Sequence, residues 1–222
     1  MDYLVFATKK GTVKRTKASE YEAIRQSGLL AITLGSNDSL LSVKATSGNS
    51  LILLVSKMGK SILFDENDVR PTGRSTQGVR GILLKNDDEL VGMTVIEKEA
   101  YAQKSAGELL VITENGYGKQ TALSGYSVQG RGGQGVFTAK ITKKTGNLVD
   151  MRLITKIDEK TPPEETEVSD DVDQSGDLLV TSAKGQAIRL PIADVPSLGR
   201  QTQGVRIIKL NEGDTATALA IL

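Results

Sequence analysis

The hydrophobic residues of this chain fall into short runs separated by polar turns, and four segments share one pattern. In each segment an apolar run leads through two residues to a glycine, and a second β-prone run follows. The four copies are YLVFATKKGTVKRT from Tyr3, LILLVSKMGKSILF from Leu51, ELLVITENGYGKQT from Glu108 and DLLVTSAKGQAIRL from Asp177. Glycine supplies the positive φ that tight hairpin turns require. Each segment is therefore predicted to be a β-hairpin, with pivots at Gly11, Gly59, Gly116 and Gly185.

A glycine-rich element follows each hairpin. It reads GRSTQGVR from Gly73, GRGGQGVF from Gly130 and GRQTQGVR from Gly199, with a degenerate copy, RQSGLL, from Arg25. The aligned glycine lies 17 residues after the pivot in the first copy and 19 residues after it in the other three. This constant spacing indicates one structural unit per repeat. The glycines predicted to turn the chain into the next strand are Gly78, Gly135 and Gly204.

A polar turn and an apolar strand close each repeat, as in SNDSLLSV and NEGDTATALAIL. Repeats of about 40 to 50 residues with four short strands have the size of propeller blades. The sequence therefore predicts an all-β, propeller-like fold of four-stranded antiparallel blades, with about four blades at residues 1–48, 49–104, 105–157 and 174–222. The one predicted helical turn covers Ser19–Arg25, with Ser19 as its cap and Glu22 at the third position after it.

Composition excludes several kinds of chemistry. The 222 residues include no Cys and no His, which excludes disulfides, a thiolate nucleophile, a Cys/His zinc site and an imidazole base. Gly130, Gly132 and Gly135 match a dinucleotide-binding template, but a strand pattern, VFTAKIT, follows where a helix is needed. No catalytic residue, metal ligand or cofactor is predicted. No apolar run approaches the roughly 20 residues of a membrane span and no signal peptide opens the chain, so a cytoplasmic location is expected.

The balanced charge, 28 bases against 27 acids, is an average over two unlike parts. Residues 158–173, DEKTPPEETEVSDDVD, hold eight acids and one base and are predicted to form a solvated acidic loop between the third and fourth units. The rest of the chain keeps 27 bases against 19 acids. A positive body of this kind fits a surface that binds a polyanion.

Basic residues recur in the hairpins and in the glycine-rich elements, so they would repeat around the outside of the fold. Such a belt matches duplex DNA, which carries one negative charge per roughly 1.7 Å of axis. The alternative interpretation is ordinary edge protection, because Lys and Arg are common on exposed hairpins. Arg74, Arg131 and Arg200 are favoured as phosphate ligands, since a guanidinium binds phosphate oxygens through two N–H groups. The predicted DNA-binding residues are Lys9, Lys10, Lys14, Arg15, Lys57, Lys60, Arg74, Arg80, Lys119, Arg131, Lys184, Arg189, Arg200 and Arg206.

The runs ENGYGKQTALSGY, GRSTQGVRGILL and GRQTQGVRIIKL resemble the C-terminal domain of the A subunit of bacterial DNA gyrase, or of its paralogue in topoisomerase IV. The resemblance covers nearly the whole chain. It implies a β-pinwheel, a propeller-like disc whose blades exchange an outer strand with a neighbour and whose basic rim binds, bends and wraps duplex DNA without sequence preference. It also implies a nucleoid-associated A2B2 enzyme with a catalytic core and a B subunit, in which other domains use ATP and Mg and carry the nicking tyrosine.

The chain departs from this family in two ways. The family commonly has about six blades, so the four predicted here indicate a fragment or a shortened form of a single pinwheel. The nearest match to the gyrase-specific box lies in the third repeat and has one base where the family has three. It consists of Gln129, Gly130, Arg131, Gly132, Gly133, Gln134 and Gly135. The predicted function is a non-catalytic DNA-wrapping domain of a gyrase A subunit; the alternatives are the topoisomerase IV domain and a propeller that serves as a protein-interaction platform.

Overall fold

The computed structural model describes residues 2–22, 27–155, 172–173 and 176–222. Its strands are β1 (Tyr3–Thr8), β2 (Thr12–Lys17), β3 (Leu40–Thr46), β4 (Ser50–Ser56), β5 (Lys60–Asp65), β6 (Val79–Arg80), β7 (Leu90–Glu97), β8 (Glu108–Thr113), β9 (Tyr117–Ala122), β10 (Val136–Phe137), β11 (Leu148–Thr155), β12 (Val172–Asp173), β13 (Asp177–Ser182), β14 (Ala187–Pro191), β15 (Val205–Arg206) and β16 (Ala216–Ile221). One α-helix, α1, covers Lys98–Ala102, and 3-10 turns cover Ala18–Tyr21, Glu66–Asp68, Leu123–Gly125 and Ile192–Asp194.

The four predicted hairpins are confirmed. They are the antiparallel pairs β1–β2, β4–β5, β8–β9 and β13–β14. The four pivot glycines have φ between 76° and 82°, the left-handed conformation for which glycine was expected. The closing strand of each repeat (β3, β7, β11 or β16) pairs with the first strand of its own hairpin. Each repeat thus builds a three-stranded antiparallel sheet from its own residues.

An outer strand from the following repeat extends three of the sheets. The sheet orders are β3-β1-β2-β6, β10-β5-β4-β7, β12-β11-β8-β9-β15 and β14-β13-β16, so β6, β10 and β15 each leave their own repeat. Each of these strands is two residues long and directly follows a glycine: Gly78, Gly135 or Gly204. The predicted all-β, blade-like fold and the strand exchange implied by the resemblance are both confirmed in the described residues.

The chain divides into two compact units, one from Met1–Lys98 with Tyr126–Val136 and one from Glu99–Gly125 with Phe137–Leu222. In the first unit, alternate residues of β4 and β5 point into one apolar core that includes Ile52, Leu54 and Phe64. In the second, Leu110, Val180 and their neighbours form the equivalent core. Each core covers one face of the sheets that line it.

The predicted helical turn is present, but its predicted N-cap residue was wrong and a second helix was missed. The turn at Ala18–Tyr21 is a 3-10 helix whose N-cap is Lys17, with no side-chain cap bond, because Ser19 lies inside the turn. Residues 23–26 of the predicted turn lie outside the described residues. The helix α1 was not predicted, since five residues are too few to show a helical period.

Most of the predicted acidic loop, residues 158–171, also lies outside the described residues. Its last two residues form β12, which runs parallel to β11. None of the helices in the described ranges is both long and apolar enough to cross a membrane.

Candidate nucleic-acid interface

Each of the three glycine-rich loops lies against the hairpin of the preceding repeat. Gly78, Gly135 and Gly204 have φ of 94°, 65° and 79°, and a Cβ at any of them would overlap a backbone carbonyl of the neighbouring β2, β5 or β9. At Gly78 that Cβ would lie 2.5 Å from the carbonyl oxygen of Val13. The prediction that these glycines turn the chain into the next strand is confirmed, and the contact explains why no larger residue fits.

Two of the predicted DNA-binding lysines lie under these loops rather than on the surface. Lys14 and Lys119 are each 1% exposed. The Nζ of Lys14 donates to the carbonyl oxygens of Ala31 and Arg74, each at 2.5 Å. Burial, with the nearby Arg74 charge, lowers the pKa of Lys14 from its ordinary value. The expectation that these two side chains belong to an exposed basic surface is therefore wrong, because each ammonium points into its own unit.

Lys119 holds the loop of residues 199–204 in the same way. Its Nζ donates to the carbonyl oxygen of Gly199 at 2.6 Å, to that of Arg200 at 2.8 Å and to the Oγ1 of Thr202 at 3.1 Å. Thr202 in turn donates to the Gly199 carbonyl at 2.7 Å. Burial, reinforced by the charge of Arg200, lowers the pKa of Lys119 to about 8. The signal that could have revealed this burial is position three after the pivot, which takes Lys14, Ile62, Lys119 and Ile188 in turn.

Arg15 is the third predicted DNA-binding residue that is buried, and the same correction applies to it. Its Nη1 donates to the Oε2 of Glu66 at 3.1 Å, and Glu66 is completely buried. Glu66 also accepts from Thr46 Oγ1 at 2.6 Å and from the backbone N–H of Ser50 at 2.7 Å. A buried charge pair needs additional bonds of this kind to offset its desolvation. Arg15 is therefore part of the scaffold of the first unit.

The arginines of the glycine-rich loops differ in what they bind. Arg131 donates from Nε to the carbonyl of Asp68 at 2.8 Å and from Nη1 to that of Arg80 at 3.1 Å. Arg200 donates from Nη1 to the carbonyl of Phe137 at 3.3 Å. Arg74 lies 4.0 Å from the carboxylate of Glu20. All three are half-buried, so each presents part of its side chain to solvent while two of them also support backbone.

The box-like segment of the third repeat is held largely by backbone. Gln129 N–H donates to the Leu63 carbonyl at 2.8 Å, and Gly132 N–H donates to that of Gly81 at 2.6 Å. The carbonyl of Gly133 accepts from the N–H of Leu83 at 2.8 Å. Gln134 is exposed. The segment therefore presents its glycine backbone and Gln134 at the surface, with Arg131 folded back along it.

The remaining predicted DNA-binding residues lie at or near the surface. Lys57 and Lys60 are half-buried, and the exposed ones are Lys9, Lys10, Arg80, Lys184, Arg189 and Arg206. Arg80 and Arg206 occupy the same place, the second residue of an exchanged strand. Arg189 forms an ion pair with Asp177 at 2.5 Å, which offsets its charge. Exposed cations therefore occur in the hairpin turns and on the exchanged strands.

Sequence reasoning missed the aspartates that brace the hairpin turns. Asp38, Asp88 and Asp214 each accept a bond at 2.9 to 3.0 Å from the backbone N–H of the residue before the pivot glycine. Two of those residues, Lys10 and Lys184, also donate from Nζ to carbonyl oxygens of the closing turn. The signal was present as the Asp of the turns SNDS, KNDD and NEGD. These carboxylates order the turns that display the lysines.

Among the described residues no group of three or more His, Cys, Asp or Glu is placed to hold a metal ion. What this surface can supply is hydrogen bonds from cations and from glycine backbone N–H groups. Such donors suit an anionic ligand with many repeated charges.

Comparison with known proteins agrees with this geometry. The family model described as DNA gyrase C-terminal domain, beta-propeller, matches residues 2–47, 50–97, 107–155 and 176–222, which are the four repeats. Among curated relatives, the DNA gyrase A subunit of Staphylococcus epidermidis is 40% identical over 219 residues, and that of Staphylococcus aureus MRSA252 is 39% identical. Each match covers 99% of this chain but 22% of the relative.

Solved structures give the same result. A DNA gyrase A C-terminal domain superposes with a TM-score of 0.78 at 27% identity, covering all of this chain and 66% of that structure. The C-terminal domain of a DNA topoisomerase IV superposes with a TM-score of 0.83 at 22% identity, covering all of this chain and 62% of that structure, which shows a shared fold. The chain spans about a fifth of the length of the curated relatives that it matches.

Proposed function

Because the chain belongs to the family of DNA gyrase C-terminal domains, we propose that it is a non-catalytic domain that binds, bends and wraps duplex DNA without sequence preference. The observation that carries the proposal is that exposed cations occupy equivalent places in more than one repeat. Lys10 and Lys184 precede two hairpin pivots, and Arg80 and Arg206 lie on two exchanged strands. A charge pattern that repeats with the fold suits a ligand whose phosphates repeat along an axis.

The basic residues would divide between two roles. Lys14, Arg15 and Lys119 shape the loops and turns from inside, as their burial indicates. The eleven other predicted residues contact phosphate. In the described ranges no helix is longer than the five residues of α1, so none is suited to read base edges in the major groove, and the contacts would go to the backbone of any sequence.

In the whole enzyme this domain would act beside a catalytic core and a B subunit in an A2B2 assembly in the bacterial cytoplasm, associated with the nucleoid. The nicking tyrosine, ATP and Mg would then belong to other domains. The pure chain should accordingly show neither DNA relaxation nor ATP hydrolysis, and either activity would contradict this assignment.

The proposal is tested by salt-titrated binding to a mixed-sequence duplex. If several phosphates are contacted, log Kobs falls linearly with log[salt], with a slope of about −0.9 for each phosphate. Duplexes of unrelated sequence should bind with similar affinity. Absence of binding at low salt, or strong preference for one short site, would contradict the proposal.

The loop arginines are tested by changing Arg74, Arg131 and Arg200 to Ala together. If they bind phosphate, the slope shrinks by roughly 0.9 for each contact and affinity falls for every duplex. A matched triple, Lys17, Lys85 and Lys140 to Ala, removes the same charge from exposed positions outside the predicted set. An unchanged slope with a lowered melting midpoint would assign the arginines to loop support, for which Arg131 and Arg200 already have carbonyl contacts.

A further inference from the structure

A cleft of about 400 Å³ opens beside Tyr117 in the second unit. Tyr117 begins β9, Arg206 ends the exchanged strand β15, and the two are paired in register. Lys144 and Lys209 also line the cleft, together with Asp214. Three cations therefore share the cleft with a tyrosine, and one carboxylate lies among them.

The hydroxyl of Tyr117 accepts a hydrogen bond at 3.0 Å from the Nη2 of Arg206. The Arg206 guanidinium lies 5.5 Å from the centroid of the ring, and the Lys144 ammonium lies 5.2 Å from it. The bond from Arg206, helped by the charges of Arg206 and Lys144, keeps the pKa of Tyr117 below its usual value. A phenol oxygen that accepts from a cation still has its own O–H to donate.

The carboxylate in the cleft is already bound by other donors. Asp214 accepts from Ser182 Oγ at 2.6 Å, from the N–H of Lys184 at 3.0 Å and from the N–H of Thr215 at 2.8 Å. It braces the closing turn of the fourth repeat and forms no ion pair in the described residues with Lys144, Arg206 or Lys209. Asp214 therefore neutralises none of these cations; Arg206 and Lys144 interact instead with Tyr117.

A second cleft provides an internal comparison. It lies in the first unit, has a volume of about 410 Å³ and is also lined by a tyrosine, Tyr3. Its charged residues are Asp2, Glu22 and Lys17, so acids outnumber bases there. The two clefts match in size and differ in the sign of their charge, which makes the Tyr3 cleft a control for any anion effect.

We propose that the Tyr117 cleft binds a phosphate group, with the Tyr117 hydroxyl, the Arg206 guanidinium and the Lys144 ammonium as its donors. If the proposed function holds, the phosphate is one of the DNA backbone, and Tyr117 and Lys144 join the contact surface although the repeat pattern did not select them. The site is specific to the third repeat, because the residues that follow the other pivots are Thr12, Lys60 and Gln186. Tyrosine and two cations placed together give a phosphate both charge and three convergent donors.

The test follows the NMR signals of the full chain labelled with 13C at its five tyrosines. Inorganic phosphate is titrated first. The Tyr117 ring signals should shift to saturation, and those of Tyr3 should not. The variant Tyr117→Phe should weaken phosphate binding about fivefold, the loss of one neutral hydrogen bond, and Lys144→Ala at least about tenfold. Binding to these variants is followed by the phosphorus signal, and Tyr3→Phe is the matched control.

Mixed-sequence duplex DNA is titrated next. With DNA in the cleft, the Tyr117 signals shift and Lys144→Ala lowers the log–log salt slope by about 0.9, one phosphate. Phosphate saturation of Tyr117 without any DNA binding would support the phosphate site and overturn the proposed function. DNA binding with Tyr117 unmoved by both phosphate and DNA would overturn the site and leave the proposed function standing. A Tyr117 that responds to phosphate but not to bound DNA would support a site for free phosphate and exclude the backbone as its source.

Discussion

The glycine-rich loops of residues 199–204 and 130–135 have the same motif and are supported in different ways. Beneath the first lies Lys119, whose ammonium binds two carbonyl oxygens and the Thr202 hydroxyl. Beneath the second lies Ile62, which is completely buried and has no polar group to make such bonds. There Gly133 stands in place of Thr202, and a Cβ on it would meet Ile62 Cδ1 at 3.8 Å, an ordinary contact.

The difference shows that the same motif can be supported from inside or from outside the loop. In the loop of residues 199–204, a buried cation satisfies the carbonyls, and Arg200 donates to the Phe137 carbonyl over a long 3.3 Å. In the loop of residues 130–135, Arg131 itself donates two shorter bonds to neighbouring carbonyls. A loop that has its own buried lysine therefore depends less on its arginine for support.

The largest effect is expected from a change that both loops exclude, a side chain on the glycine that lies against a backbone carbonyl of the neighbouring strand. In Gly204→Ala the new Cβ would overlap the carbonyl oxygen of Gly118 at a backbone φ of 79°. We expect a loss of about 3 kcal/mol or more in the free energy of unfolding, measured by urea denaturation. The control is Gly199→Ala, where no atom lies within 4 Å, and a change within about 0.5 kcal/mol is expected. Equal, small effects for both variants would contradict the contact.

The next largest effect is expected from removing the buried ammonium of Lys119, which only the loop of residues 199–204 has beneath it. Lys119→Met keeps the length of the side chain but leaves the Gly199 and Arg200 carbonyls without their shared donor. A loss of about 2 to 4 kcal/mol in the free energy of unfolding is expected, because each unsatisfied polar group costs about 1 to 3 kcal/mol. Lys140→Met, at an exposed lysine of the same unit, should change stability by less than about 0.5 kcal/mol. If both variants behaved alike, Lys119 would have no special role.

The pH dependence of the same variant tests the burial of the charge. The pKa of Lys119 is about 8 in the folded chain and 10.5 ordinarily, so between these values the unfolded chain binds the additional proton. The contribution of this group to the free energy of unfolding therefore rises with pH across that window. The stability gap between the wild type and Lys119→Met should widen from about pH 8 to about pH 10 in urea titrations. A gap that narrows would show that the ionised amine is the better bound form.

The smallest effects are expected from changing Thr202 and Gly133, the aligned residues that lie above Lys119 and Ile62. Thr202→Ala removes the bond to the Gly199 carbonyl and should cost about 1 kcal/mol. Gly133→Thr introduces the missing hydroxyl into the other loop, where φ is not left-handed and the Cβ has room, and should change stability by about 0.5 kcal/mol or less. Thermal melting of both variants measures this. The two backbones already differ at Gly132, whose φ is 81°. A cost above about 1 kcal/mol for Gly133→Thr would mean that the loop of residues 130–135 does not accept the side chain that its counterpart has.

Local chemistry predicted the hairpins and turning glycines correctly. The pivot glycines were identified because a positive φ is a property of a few consecutive residues, and Gly78, Gly135 and Gly204 were identified through their constant spacing. The burial of Lys14, Arg15 and Lys119 was not predicted, because a charged residue in a strand is usually expected at the surface. Their partners lie far along the chain, as with Lys119 and Gly199, so no short-range pattern connects them.

The sequence by itself determined the number of repeats, the hairpin and closing strands of each repeat and the residue types of the loops, because strand period and turn preference act over a few residues. Only the tertiary structure decided which basic residues face solvent, since that depends on the strand that one repeat lends to the sheet of another. Because of the exchange, each loop lies over the hairpin of the preceding repeat, and the buried Lys14 and Lys119 donate hydrogen bonds to the loop carbonyls. The same exchange places Arg206 beside Tyr117, 89 residues earlier in the chain, a proximity set by packing between repeats.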